Sequence, residues 1–153
     1  MSLCSNAQTP LYSNVRVDDG VSLRNTLGSS STTRNVDIDK NGNIYVVYLT
    51  PSGIKMAKST DNGETYLPSL LIAATNLGNP EVAVGGNEHI FVSWVNGANS
   101  QIFIAISTDG GLSFSNPKSL GKVSPGDITA HMVAQDKSIY LVTKTGAFVY
   151  YNS

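Results

Sequence analysis

Short runs of β-branched and aromatic residues alternate with polar positions along the whole chain, and Gly, Asn and Asp residues separate the runs. Runs of this composition and spacing predict β-strands that are bounded by tight turns. No stretch sustains the periodicity of an amphipathic helix. The pattern therefore predicts an all-β chain.

The predicted strands fall into three similar groups. In each group the second strand begins eight residues after the first, at 44 after 36, 90 after 82 and 139 after 131. This spacing predicts a constant four-residue connection in a repeated hairpin. A further strand is predicted before the first group, at residues 20–24. The strands of the three groups cover residues 36–39, 44–48, 54–58 and 69–73; 82–85, 90–94, 102–106 and 117–120; and 131–134, 139–143 and 147–151.

An eight-residue motif follows the third strand of the first two groups. Ser59-Thr-Asp-Asn-Gly-Glu-Thr-Tyr66 returns 48 residues later (107 minus 59) as Ser107-Thr-Asp-Gly-Gly-Leu-Ser-Phe114. We expect its aspartates to accept backbone N–H bonds, its glycines to adopt a positive φ and its hydroxyls to brace the turn. A repeat of this length suits one four-stranded unit. The structural positions are Ser59, Asp61, Gly63, Thr65 and Tyr66, then Ser107, Asp109, Gly111, Ser113 and Phe114.

The motif Ser-x-Asp-x-Gly-x-Ser/Thr-aromatic resembles the Asp box, or bacterial neuraminidase repeat, of sialidase-like β-propellers. The resemblance implies a unit at residues 20–153 with about three blades of four antiparallel strands, preceded by a partly disordered lead at residues 1–19. Propellers typically have more blades than this. We expect either a six-bladed ring formed by a homodimer, or part of a longer propeller. The implied blades are residues 35–73, 81–120 and 128–151, and residues 20–24 would supply the strand that the third blade lacks, by exchange between the two chains.

Composition and charge narrow the choice of partner. The 153 residues include 10 basic and 11 acidic side chains, for a net charge of −1, so no basic face favours nucleic acid. No apolar run is long enough to predict a membrane span, and no signal region is present. Cys4 is the only cysteine, which excludes an intrachain disulfide. The family resemblance implies an extracellular or cell-surface location.

One face of such a propeller holds the connections between strands two and three and those that precede strand one, and ligands usually bind there. Arg34, Glu81 and Asp127 precede first strands and are expected to face the central channel. Arginine suits carboxylate recognition, although these charges can also pair with one another. Tyr48 and Trp94 end equivalent strands and are candidates for stacking on a sugar ring; packing between blades is the alternative.

Catalysis is not expected from these residues. The resemblance implies that a catalytic sialidase has an arginine triad, a tyrosine nucleophile assisted by a glutamate, an aspartate acid/base and an Arg-Ile-Pro motif. This chain has Arg16, Arg24 and Arg34 alone and lacks Arg-Ile-Pro. His89 and His131 have no metal-ligand spacing, so neither a metal nor a cofactor is predicted. We expect a non-catalytic binding or scaffold module for glycan or protein; the alternative is a fragment of a carbohydrate-active propeller enzyme whose catalytic blades are missing.

Overall fold

A computed structural model describes residues 15–18, 34–75, 77–123, 131–143 and 146–151, the last segment by its backbone. Within these ranges the chain forms eleven strands and no helix, so none of the described segments is a helix that could cross a membrane. The strands are β1 Val36–Ile38, β2 Ile44–Thr50, β3 Gly53–Ser59, β4 Leu70–Ala73, β5 Glu81–Val84, β6 Ile90–Asn96, β7 Gln101–Ser107, β8 Lys118–Lys122, β9 His131–Gln135, β10 Ser138–Thr143 and β11 Gly146–Tyr151.

These strands form three antiparallel sheets. The first sheet has the order β1-β2-β3-β4, the second β5-β6-β7-β8, and the third β11-β10-β9. The all-β class and the antiparallel four-stranded groups that the sequence predicts are confirmed. The strand predicted at residues 20–24 lies outside the described residues, as does most of the predicted lead.

The three sheets pack face to face in chain order. We call the side of a sheet that meets the next sheet its forward face, and the side that meets the preceding sheet its rear face. Apolar side chains from successive strands fill both interfaces, as strand alternation requires. The first interface joins Tyr45, Val47, Leu49, Ile54 and Met56 to Val82, Ile90, Val92, Trp94 and Ala105; the second joins Ala83, Phe91, Val95, Ile102 and Ile104 to Met132, Ile139 and Leu141.

Polar contacts hold the first strands of neighbouring sheets side by side. The Val84 N–H donates to Oδ2 of Asp37 at 2.8 Å. The side-chain amide of Asn35 donates to the Pro80 carbonyl, also at 2.8 Å. Because β5 also lies against β9, the three first strands form a contiguous row at one side of the molecule.

The hairpin between β9 and β10 departs from the predicted constant connection. Ile38 pairs with Ile44 in the first sheet and Val84 with Ile90 in the second, whereas Ala134 pairs with Ile139 in the third. The third hairpin therefore has four residues between these paired positions where the first two hairpins have five, and the prediction is wrong at this hairpin. Its tight turn places Asp136 at a φ of 51°, a conformation that Asp tolerates better than most residues because its side chain bonds locally.

Candidate functional site

The candidate site is a polar edge formed by four connections. In both sheets the first and second strands are antiparallel, with Val36 paired to Val46 and Glu81 to Ser93, so the chain that precedes each first strand lies toward the C-terminal end of the second strand. The β2–β3 and β6–β7 turns therefore lie at the same edge as the residues that precede β1 and β5. We define the rim as the described residues 34–35, 51–52, 77–80 and 97–100, in which Arg34 is the one charged side chain.

Arg34 lies on the rim with its side chain 49% exposed. Its guanidinium Nη2 donates to Oδ1 of Asp37 at 2.6 Å, and its backbone N–H donates to Oε1 of Glu81 at 3.4 Å. Asp37 thus orients a cation that remains accessible from solvent. A guanidinium held in this way can bind a carboxylate or the hydroxyl groups of a ligand.

Glu81 is the first residue of β5 and is 2% exposed. Its Oε1 lies 3.1 Å from Nδ1 of His131, and its Oε2 accepts the Met132 N–H at 3.1 Å. Burial raises the pKa of Glu81, and the contacts with His131, Arg34 and Met132 offset part of that shift. The carboxylate therefore links all three sheets beneath the rim.

Tyr48 and Trp94 are both buried, at 8% and 3% exposure. The Tyr48 hydroxyl donates to the Val17 carbonyl at 3.4 Å. Trp94 stacks on Phe103, with ring centroids 5.8 Å apart and planes 16° apart. Neither ring is available as an open stacking platform. Trp94 packs between the first two sheets, as in the alternative that the sequence left open, whereas Tyr48 lies on the rear face of the first sheet against Val17.

A cavity of about 310 Å³ lies beside Trp94, between the first and second sheets. Phe103 and Ile72 contribute apolar wall, while Thr75 and Asn96 contribute polar atoms. Both polar residues also bond the backbone of their own loops. The volume lies at the lower end of small-molecule pockets. Asp127, the remaining binding candidate, lies outside the described residues.

The first copy of the repeated motif is a turn braced around Asp61. Its Oδ1 accepts bonds from the Ser59 hydroxyl at 2.7 Å and the Thr65 N–H at 2.9 Å, and its Oδ2 accepts the Thr65 hydroxyl at 2.5 Å. The Gly63 N–H donates to the Ser59 hydroxyl at 2.8 Å, with Gly63 at a φ of 90°. Every bonding role that the sequence predicts for these residues is present. Tyr66, the aromatic residue that ends the motif, is half-buried.

The second copy repeats this network around Asp109. The Ser107 hydroxyl donates to Oδ1 at 2.7 Å, the Ser113 hydroxyl donates to Oδ2 at 2.5 Å, and Gly111 has a φ of 84°. Phe114 packs half-buried against the first interface. The hydroxyl and amide donors hold the carboxylates ionised, because hydrogen bonds from Thr65 lower the pKa of Asp61 to about 2 and those from Ser113 lower that of Asp109.

These shifts predict a loss of stability in acid. A carboxylate whose pKa is lowered on folding contributes stability above its unfolded value of 3.8, and that stability is lost as the pH falls through its folded value, about 2 for Asp61. We expect the free energy of unfolding to fall over this interval. The double variant Asp61→Asn, Asp109→Asn should show a flatter pH dependence in urea denaturation, whereas Glu64→Gln in the same turn should not. An unchanged slope in the double variant would contradict the assignment.

Sequence reasoning missed two residues that organise the rim. Asp37 orients Arg34 and accepts a backbone N–H from the second sheet. His131 contacts Glu81 across the second interface. The sequence carried a signal for Asp37, because a carboxylate within an otherwise apolar strand needs a partner; the contact of His131 depends on how the sheets pack, which local sequence does not show.

Among the described residues, no group of three His, Cys, Asp or Glu side chains is placed to hold a metal ion. The opposite edge has a wider cavity of about 680 Å³ between the β1–β2 and β5–β6 turns, with Asp39 on its wall. Burial alone would raise the pKa of Asp39, but bonds from Asn43, Asn41 and Tyr45 lower it. That carboxylate therefore braces its own turn.

Comparison of the chain with known protein families and with curated proteins found no match. A proposal about function therefore depends on the geometry of the rim and of the repeated turns.

Proposed function

We propose that this chain is a non-catalytic binding module built from blades of a sialidase-like β-propeller, and that its rim binds a glycan. The support for the propeller is the repetition of the sheets, the row formed by β1, β5 and β9, and the braced turns of both motif copies. An extracellular location belongs to the same proposal, since it comes from the family resemblance.

Arg34 carries the proposal for the ligand. Asp37 orients its guanidinium and the buried Glu81 binds its backbone N–H, so the cation is preorganised while its side chain stays half exposed. Preorganised donors lose less entropy on binding. A single arginine on a polar rim suits an acidic glycan, whose carboxylate it can bind through paired N–H groups. A protein ligand is the competing outcome of the test.

The carboxylates support a binding rather than a catalytic role. Asp61 and Asp109 accept three or more bonds within their own turns. Glu81 is buried and engaged with His131 and Met132. A general acid or base must reach its substrate. The carboxylates of Asp61, Asp109 and Glu81 instead make hydrogen bonds within the folded chain.

An array of acidic and neutral glycans, probed with the full chain, tests this proposal. We expect binding to acidic glycans that Arg34→Ala weakens by about tenfold or more, in line with loss of a charged hydrogen bond. Lys118→Ala removes an exposed cation away from the rim and should leave binding unchanged. A folded chain that bound no glycan, or bound one equally after Arg34→Ala, would contradict the proposal. Arg34-dependent binding of a protein would show that the rim's ligand is a protein and not a glycan.

We further infer that two copies complete a six-bladed ring and exchange residues 20–24. The strand order supports this inference: β3 and β7 each have a fourth strand beside them, namely β4 and β8, whereas β11 occupies the same position at the described edge of the third sheet. An added strand would cover that edge, as closed β structures require. Deleting residues 1–24 should therefore convert a dimer to a monomer; a dimer that survived deletion would contradict strand exchange.

A further inference from the structure

Two apolar faces are exposed at the ends of the stack of sheets. The rear face of the first sheet exposes Val36 at 47% and Ile38 at 57%. The forward face of the third sheet exposes Val133 at 58%, Tyr140 at 42% and Val142 at 52%. Clusters of large apolar side chains on a surface mark interaction sites.

The exposed forward face repeats a surface that is buried twice within the chain. Tyr45, Phe91 and Tyr140 occupy the same register position, because they pair with Asp37, Ala83 and Val133 respectively. Tyr45 and Phe91 are each 1% exposed, because the next sheet covers them. Tyr140 is exposed because no described sheet follows the third.

The exposed rear face of the first sheet corresponds to a surface that is buried in the second and third sheets. Val36, Val82 and Met132 share one register position, since they pair with Val46, Val92 and Leu141. Val82 and Met132 are 0% and 2% exposed beneath the preceding sheet, whereas Val36 is 47% exposed. The first sheet therefore presents a surface of the kind that its two successors bury.

Polar contacts between sheets follow the same repeat. Asn35 and Glu81 each precede that shared position, and each reaches forward to the next sheet. The Asn35 amide donates to the carbonyl of Pro80, just before β5, and the Glu81 carboxylate accepts the N–H of Met132 in β9. His131 is the third residue at this position, and its side chain is 54% exposed. It has the donor and acceptor atoms to make the corresponding contact with a further first strand.

We propose that the rear face of the first sheet packs on the forward face of the third sheet of a second copy of this chain. This inference rests on the proposed ring, and it continues the two interfaces already present inside the chain. Within one chain the second sheet separates the two exposed faces, so they meet between copies. Two copies related by a two-fold axis would form both contacts at once. Together they would have six sheets, a number within the range typical of propellers, whereas one copy or three copies would fall outside that range.

Cysteine cross-linking tests the predicted pairing. Asp37 contacts the Val84 N–H at 2.8 Å across the first interface, and Val133 and Ile38 occupy the equivalent positions across the proposed one. In a Cys4→Ser background, the double variant Ile38→Cys, Val133→Cys should form a covalent dimer with a short bismaleimide. A mixture of the two single variants should do the same, and each single variant alone should not.

Two cross-linking results would contradict the proposed interface. A double variant that stays at the 16.2 kDa monomer mass after cross-linking would overturn the inference. So would cross-linking of Val133→Cys to itself at equal yield, because it would show that third sheets meet each other.

Charged variants give an independent measurement on the same faces. Ile38→Asp and Val142→Asp should each weaken dimerisation by about tenfold or more, since each buries an unpaired charge. Mixing the two variants should restore dimer, because a heterodimer keeps one intact pair of faces. Leu112→Asp, a change at an exposed leucine of the second motif turn, is the matched control. Equal dimerisation in all variants would overturn the inference.

Glycan binding is measured separately and distinguishes the two proposals. Arg34-dependent binding by a monomer would reject the interface and retain the binding function. A cross-linked dimer without any glycan ligand would reject the binding function and retain the interface.

Discussion

Replacing Glu81 by alanine is expected to lower the free energy of unfolding by about 2–4 kcal/mol, because the buried N–H of Met132 loses its acceptor and the part-buried bond from the Arg34 N–H is lost as well. The side chain is 2% exposed and joins three sheets, so water cannot replace it without loosening their packing. Urea denaturation at neutral pH measures the change.

Two controls separate this effect from general sensitivity to mutation. Glu64→Ala removes an exposed carboxylate and should change the free energy of unfolding by less than about 0.5 kcal/mol. Glu81→Gln keeps the size and one acceptor oxygen and should cost less than alanine does. A Glu81→Ala variant as stable as Glu64→Ala would show that the three-sheet junction contributes little.

Gly111→Ala is expected to destabilise the chain by about 2–3 kcal/mol, from a positive φ that L residues adopt at a cost and from crowding of the core. Gly111 has a φ of 84°, and an added Cβ would come within 2.7 Å of Cε of Met56 in the first sheet. The second motif copy packs against its neighbouring sheet at this point, so the methyl group has little room.

The first motif copy provides a matched control for backbone strain. Gly63 has a φ of 90°, but its nearest neighbour would be Cδ1 of Ile44 at 3.3 Å, and the half-buried Ile44 has more room to shift than the buried Met56. Gly63→Ala should therefore lose only about 1 kcal/mol, the cost of the left-handed backbone. Thermal denaturation of both variants compares them directly; equal losses would mean that Gly111 is not crowded by the first sheet.

The sequence was sufficient for the strands and turns because their causes are local. The predicted strands coincide with β1 to β11 to within a few residues at each end, since alternation and turn residues decide them. The bonds around Asp61 and Asp109 could be assigned in advance because each network closes within one short segment.

The sheet interfaces could not be predicted in the same way. The shorter β9–β10 connection changes which residues of β9 face the second sheet. The sequence did not reveal this change, because the predicted first and second strands start eight residues apart in all three groups. The contact between Glu81 and His131 spans 50 residues (131 minus 81) and depends on that packing. The position of Trp94 near the end of a predicted strand made it a candidate for stacking on a sugar ring. In the folded sheet Trp94 pairs with Phe103 across the strands and stacks on that ring instead.

The mass of the chain in solution is the most direct test of the central claim, that the three sheets of one copy are completed by three from a second. Light scattering over a range of micromolar concentrations should give twice the 16.2 kDa of one chain. A mass of 16.2 kDa at every concentration would contradict the account, because both apolar end faces would then have to persist in water without a second copy.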